Sequence, residues 1–346
     1  MIPLFKVAMH PSAPEAVRAV LESGYVGQGP KVEEFESKLF DFFGHKVLTT
    51  NSCTSALDLA LHLCDVGHGD EVISTPLTCT ATNGVIARRG AKIRWSDIDR
   101  DGLIDPVWVS RNITDKTKAI VAVDWGGKLC DYSALKSHRI PVIQDAAHRF
   151  SKIDHAVGGD YTCWSFQAIK FLSTGDGGAI AVPENQYTRA KLLRWYGLDR
   201  DSKSSFRCSQ DIYEIGYKYH MNDISAAIGL ANLDLAKDNE AFHRKNYASI
   251  LGQPIAGSSW VAFIRTPGRD RFIKFMGSCG IEASLVHKRN DWHPAFRTAS
   301  VNPDEQRPVL DKYCEEYVAI PCGWWLSNED IKHIQESLAV WKELTK

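Results

Sequence analysis

The sequence predicts an α/β protein: a mostly parallel sheet with helices on both faces, followed by a smaller C-terminal α+β domain. Three observations point there. From about residue 45, runs rich in Val and Ile alternate with helical apolar patterns, which is how strands buried on both faces of a parallel sheet read. Beyond about residue 250 the texture changes to short strands, turns and two helical stretches. The chain has 346 residues, 44% of them hydrophobic, enough for a large core, and its length suggests two domains or one large domain with an appendage. The expected boundary lies near residue 240, giving domains 1–240 and 241–346.

The elements follow in order. HKVLTT (45–50) reads as a strand, and Ala56-Leu57, Leu59-Ala60-Leu61 and Leu63-Cys64 then form a helical face. DEVIST (70–75) is the next strand, and ATNGVIARRG is a helix closing on Gly90. AKIRWSDID, KAIVAVDW and IPVIQDAA are three further strands. YTCWSFQ and GGAIAV form a pair joined by a turn that carries Lys170. YTRAKLLRWYG is helical, and the polar, Ser-rich stretch 199–211 is either a lid or a plain surface loop. Residues 221–251 read as one long helix. The last helix places Ile331, Ile334, Leu338, Trp341 and Leu344 on one packing face.

Composition excludes several classes. Lys and Arg number 41 against 42 Asp and Glu, a net charge of −1, so no basic footprint marks a nucleic-acid or acidic membrane partner. No apolar run has the length of a membrane span, and the first residues lack a signal-peptide pattern, so a soluble, cytoplasmic protein is expected. The nine cysteines are odd in number and form no CxxC pair. They read as free thiols, with neither a disulfide framework nor a metal site.

Three motifs bear on chemistry. Asn51 to Leu57 lies between a strand and a helix, where Thr54 and Ser55 either cap the helix or join its free N–H groups in an anion site. Asp145 ends an apolar strand, where ligands bind in open α/β sheets, or else it caps the following turn. Ser165 and Lys170 flank another strand end ahead of a glycine-rich turn; alone, Lys170 reads as a snorkelling surface lysine. The turn is not a phosphate-binding P-loop, because the lysine precedes the glycines. Taken together, a helix-start anion site, a strand-end acid and a later lysine are the contacts that pyridoxal phosphate (PLP) needs for its phosphate, ring nitrogen and aldehyde.

At this point the chain resembles the DegT-like (DegT/StrS-type) nucleotide-sugar aminotransferases, a branch of the PLP fold type I enzymes with an aspartate aminotransferase-like fold. The resemblance rests on Ser23 to Pro30, Asn51 to Leu57, Gly69 to Ile73, Asp145-Ala146-Ala147-His148, Ser165-Phe166 with Lys170, Thr174 to Gly178, Gly216 to Asn222 and Val286 to Asp291. It implies that Lys170 is the Schiff-base lysine and proton carrier and that Asp145 partners the pyridine nitrogen. It implies phosphate ligands at Thr54, Ser55 and Ser165, and places His148 against the cofactor ring near its hydroxyl. Cys79 stands where many relatives stack an aromatic on the ring. Lys218 replaces a family Asn, so it meets the phosphate as a charge or is a solvated residue. The long helix after Gly216 is similar to one that completes a partner's site in a homodimer. His287, Lys288 and Arg289 either meet a substrate diphosphate or form a polar turn. Trp324-Trp325 either close over substrate or pack.

The implied reaction moves an amino group from an amino acid, L-glutamate by analogy, to a nucleotide-linked keto sugar. A PLP-dependent sugar dehydratase and a non-catalytic PLP-binding relative are the alternatives; a lysine rather than a histidine at position 170 favours transfer.

Overall fold

The computed structural model describes residues 1–151, 158–202, 209–255 and 257–345. A seven-stranded sheet is built from β1 (Val47–Thr50), β2 (Glu71–Ser74), β3 (Lys92–Trp95), β4 (Thr117–Val123), β5 (Val142–Asp145), β6 (Tyr161–Ser165) and β7 (Gly178–Ala181). Their spatial order is β1-β7-β6-β5-β4-β2-β3. β2 through β6 pair in parallel, whereas β7 runs antiparallel to both β6 and β1. The expected pair around Lys170 is therefore a hairpin inside the sheet, with Ser165 directly opposite Gly178.

Helices cover both faces. Helix Cys53–Leu63 packs with Val72, Ile93, Val121 and Ile180 in one core. Helix Pro30–Phe43 and the long helix Asp223–Leu251 pack with Trp164, Phe166 and Ala179 on the other. The expected boundary near 240 falls inside that long helix. Beyond it, β8 (Ala262–Arg265) and β9 (Tyr317–Ile320) form an antiparallel pair under helices Arg269–Ser278 and Asn328–Leu344. In the last helix Ile334 and Trp341 are buried, but Leu344, in the final turn, is exposed and leaves the anticipated face.

The C-terminal part is tied to the large sheet at two places that matter for the site. Asn302 exchanges hydrogen bonds with the backbone of Trp95 on edge strand β3 (2.9 and 3.1 Å). Asn290, fully buried, donates to the carbonyl of Thr78 (2.8 Å) and accepts from Asn83 (2.9 Å). Of the stretch 199–211, residues 203–208 lie outside the described residues, as does Cys208. Among the described residues, no helix is long and apolar enough to cross a membrane.

Candidate active site

The carboxyl ends of β1, β5 and β6 and the start of β7 lie at one edge of the sheet, where open α/β sheets bind ligands. A cavity of about 360 Å³ opens there. Thr54, Cys79, Asp145, His148, Ser165 and Lys170 all line it, residues drawn from four separate stretches of sequence.

Asp145 ends β5 and is buried. Its Oδ1 accepts from the Ala147 amide (3.0 Å) and its Oδ2 from the Thr82 hydroxyl (2.8 Å). Burial raises its pKa, and these two donors with the nearby Lys170 amine oppose the rise. A carboxylate kept in such a place needs a cationic partner.

Lys170 follows the strand end, its amide donating to the Gln167 carbonyl in a tight turn (2.8 Å). Its side chain does not snorkel to the surface. Nζ lies 3.4 Å from the centroid of the Trp260 ring, and desolvation lowers its pKa to about 7 against the pull of Asp145. Trp260 in turn donates from Nε1 to the Ile169 carbonyl (3.1 Å) and stacks on His148 (4.1 Å, 27°) and Phe5 (4.7 Å). Trp260 was not singled out from the sequence. Its only signal there is an aromatic heading a short apolar strand, which reads equally as core.

His148 is buried, and its pKa sits well below the ordinary value because of burial first, then Lys170 and His287. Gly126 donates its amide to Nδ1 (3.3 Å), so the neutral ring carries its proton on Nε2 and offers a donor.

At the start of helix Cys53–Leu63, Ser52 is the cap: its hydroxyl accepts from the Ser55 amide (3.1 Å). The first-turn amides of Cys53 and Thr54 have no acceptor within the helix. Gly178 is required beside them, since a Cβ there would lie 2.6 Å from the Cys53 nitrogen. Ser165 stands on the facing strand. Together these groups form a small cradle of N–H and O–H donors at a helix start.

Not every expected residue joins the cavity. Ser55 does not line it; its hydroxyl donates to Asn51 Oδ1 (2.6 Å), so it braces the turn and Ser52 takes the capping role. Lys218 is exposed and absent from the cavity wall of its own chain. Extended backbone explains this: Tyr217 and Tyr219 stack at 4.5 Å and bond inward to His62 (2.7 Å) and Asp58 (2.8 Å), which turns Lys218 outward.

The stretch 287–289 divides. His287 lines the cavity, its ring parallel to His148 at 6.1 Å, and burial lowers its pKa to about 4. It is presented by a tight turn in which its amide donates to Leu285 (2.8 Å), with Val286 at φ +66° and the single hydrogen of the Tyr317 hydroxyl shared between the carbonyls of Leu285 and His287 (2.8 and 3.1 Å). Lys288 is exposed. Arg289 is buried, forked onto Asp291 (2.6 and 2.7 Å) and bound to Asp311 (2.5 Å), so its guanidinium has carboxylate partners already and is structural. Trp324 and Trp325 lie outside the cavity lining. Trp325 donates to the Pro3 carbonyl (3.1 Å), so this pair packs the chain's amino terminus.

The donor set fits pyridoxal phosphate. A neutral-leaning amine with no hydrogen-bond acceptor among the described residues, a buried carboxylate, an imidazole N–H and a helix-start cradle surround one space with aromatic and apolar walls. Trp260, delivered from the C-terminal part, is an aromatic that lines the same cavity as Cys79.

Comparison with known proteins agrees. The family model "DegT/DnrJ/EryC1/StrS aminotransferase family" matches residues 8–339. The chain is 36% identical over 269 residues to the spore coat polysaccharide biosynthesis protein SpsC of Bacillus subtilis, covering 73% of this chain and 67% of that protein. Its fold matches sugar aminotransferase CalS13 from Micromonospora echinospora with a TM-score of 0.91 and 33% identity, over 98% of this chain and 100% of that one. AtS13 from Actinomadura melliaura matches at 0.91 and 37%, over 98% of each chain. Spr1654 from Streptococcus pneumoniae, solved in PLP and PMP forms, matches at 26% identity, with TM-scores of 0.88 and 0.89. The chain belongs to the DegT/DnrJ/EryC1/StrS aminotransferase family and is a PLP-dependent transaminase of sugar biosynthesis.

Proposed function

We propose that this transaminase takes its amino group from L-glutamate and gives it to the keto carbon of a nucleotide-linked deoxysugar, acting as a cytoplasmic homodimer. The observation that carries the reading is the convergence of Lys170, Asp145 and His148 on one cavity. The similarity to a polysaccharide biosynthesis protein supports an amino-sugar product.

Bound PLP would join the substrate nitrogen to a ring that takes up the electrons of the breaking C–H bond. Lys170 Nζ, whose pKa burial lowers to about 7, would accept the proton from the donor's α-carbon and return it to the carbon across the substrate nitrogen, two bonds away. Asp145 holds the proton on the ring nitrogen. His148 donates from Nε2 toward the ring hydroxyl. The Cys53 and Thr54 amides, with the Thr54 and Ser165 hydroxyls, hold the phosphate. Cys79 and Trp260 wall the space and limit water. Sugar acceptance follows with the same groups in the reverse direction.

Lys218 does not line its own cavity, and a few residues before it in the chain Ile212, Tyr213 and Ile215 are 52, 94 and 84% exposed. An apolar group so exposed marks an interface. A second copy seated there is the reading that gives Lys218 a role, as a phosphate contact in the partner's cavity.

The test is spectroscopic. Holoenzyme mixed with L-glutamate should convert to the pyridoxamine phosphate form and release 2-oxoglutarate, and a nucleotide-linked keto sugar should restore the starting spectrum. No change with glutamate but conversion with another amino acid would overturn the donor. Restoration by a free keto sugar alone would overturn the nucleotide. Sedimentation as a monomer would overturn the dimer.

A further inference from the structure

Asp145 is held by more than its neighbours on β5. Thr82 sits in the first turn of helix Thr80–Arg88, whose cap is Cys79. Its hydroxyl donates to Asp145 Oδ2 (2.8 Å) and lies 2.9 Å from the hydroxyl of Thr78. A hydroxyl has one hydrogen to give. While Asp145 is ionised, Thr82 spends that hydrogen on it, so Thr82 accepts from Thr78. The direction of the chain is fixed: Thr78 to Thr82 to Asp145. Thr78 and Thr82 are each 2% exposed, and Asp145 is 3% exposed, so water does not replace either donor. The outer end is anchored from the C-terminal part, since Asn290 donates to the Thr78 carbonyl (2.8 Å) and accepts from Asn83 (2.9 Å).

We propose that Thr82, backed by Thr78, is a positioning residue for cofactor protonation: the directed hydroxyl chain keeps Asp145 an oriented carboxylate, so that the proton it shares with the ring nitrogen of PLP stays on nitrogen. This rests on the assignment of Asp145 to the ring nitrogen. The physical argument is one of competing basicities. A buried carboxylate tends to take up a proton, and donors to its oxygens oppose that. Hydrogen bonds in a chain polarise one another, so the second hydroxyl strengthens the first. Without Thr82's hydroxyl the carboxylate becomes the more basic partner and draws the shared proton away from the ring. The ring then takes up electrons less readily. Cys79, between the two threonines in sequence, is thus held on the same rigid turn that orients Asp145.

The experiment uses apo-protein reconstituted with PLP carrying ¹⁵N in its ring, read by NMR, with the cofactor dissociation constant measured in parallel. Asp145→Asn should move the ring resonance to that of a neutral pyridine; if it does not, the assignment of Asp145 fails. Given that control, Thr82→Val should move the resonance part of the way in the same direction and weaken cofactor binding about tenfold, as for the loss of a hydrogen bond to a charged group. Thr82→Ser should stay at the wild-type position, and Thr78→Val should move less than Thr82→Val. Thr78→Val also serves if Thr82→Val does not fold. An unmoved resonance in the valine variants, or a serine variant that moves as far as valine, overturns the proposal and leaves the threonines as packing.

Discussion

The Lys170 amine lies over the face of Trp260, 3.4 Å from the ring centroid, and the same indole donates to the carbonyl of Ile169, the residue just before the lysine. One side chain thus holds both the backbone that presents the amine and the amine itself. Trp260 comes from a part of the chain 90 residues on, so the lysine's position depends on how the C-terminal part docks.

The lysine should make the stability of the apo-protein depend on pH. Its pKa falls from 10.5 to about 7 on folding. Between those values the unfolded chain binds more protons than the folded one, so stability rises with pH through that window. Urea unfolding of apo-protein at pH 7 and at pH 9.5 should show this rise, and in Lys170→Met it should shrink. An equal pH dependence in both proteins would contradict a buried, depressed amine.

Thr54 and Ser55, adjacent in sequence, should separate in function. Ser55→Ala removes a bond to Asn51 and should lower stability by about 1 kcal/mol with little change in cofactor affinity. Thr54→Ala should leave stability nearly unchanged and weaken PLP binding several-fold. Thermal unfolding and cofactor titration of the two variants check the contrast.

Arg289 should matter for folding. It is 4% exposed and its partner Asp291 is buried with it. Arg289→Met leaves that carboxylate, among the described residues, with Arg307 at 3.4 Å as its cation. Breaking a buried pair costs about 3–5 kcal/mol, so the melting temperature should fall by several degrees. A variant of wild-type stability that has lost sugar affinity would instead return Arg289 to the substrate.

The turn before His287 should carry measurable strain. Val286→Gly relieves the positive φ, worth up to about 1 kcal/mol, but removes a side chain packed against two cores, so it should lower stability by less than Val286→Ala does. Tyr317→Phe removes the donor that pins both carbonyls of the turn and should cost about 1–2 kcal/mol. Denaturant melts of Val286→Gly, Val286→Ala and Tyr317→Phe check both expectations, and equal losses for the glycine and alanine variants would show that the turn is unstrained.

The sequence by itself determined the alternation of strands and helices, and with it the sheet edge that carries Asp145, Ser165 and Lys170. Local chemistry suffices for that much: periodic apolar runs, a Ser/Thr helix start and a glycine turn are short-range signals. It could not separate Thr54 from Ser55, because a capping motif does not say which of its hydroxyls turns inward. It left Arg289 open, because a cation's partners are chosen in space; Asp311 is 22 residues away. Only the tertiary structure brought in Trp260, Thr82 and the neutral face of His287. Each acts through a contact between elements far apart in the chain, and packing alone decides which aromatic, hydroxyl or imidazole meets the lysine and the aspartate.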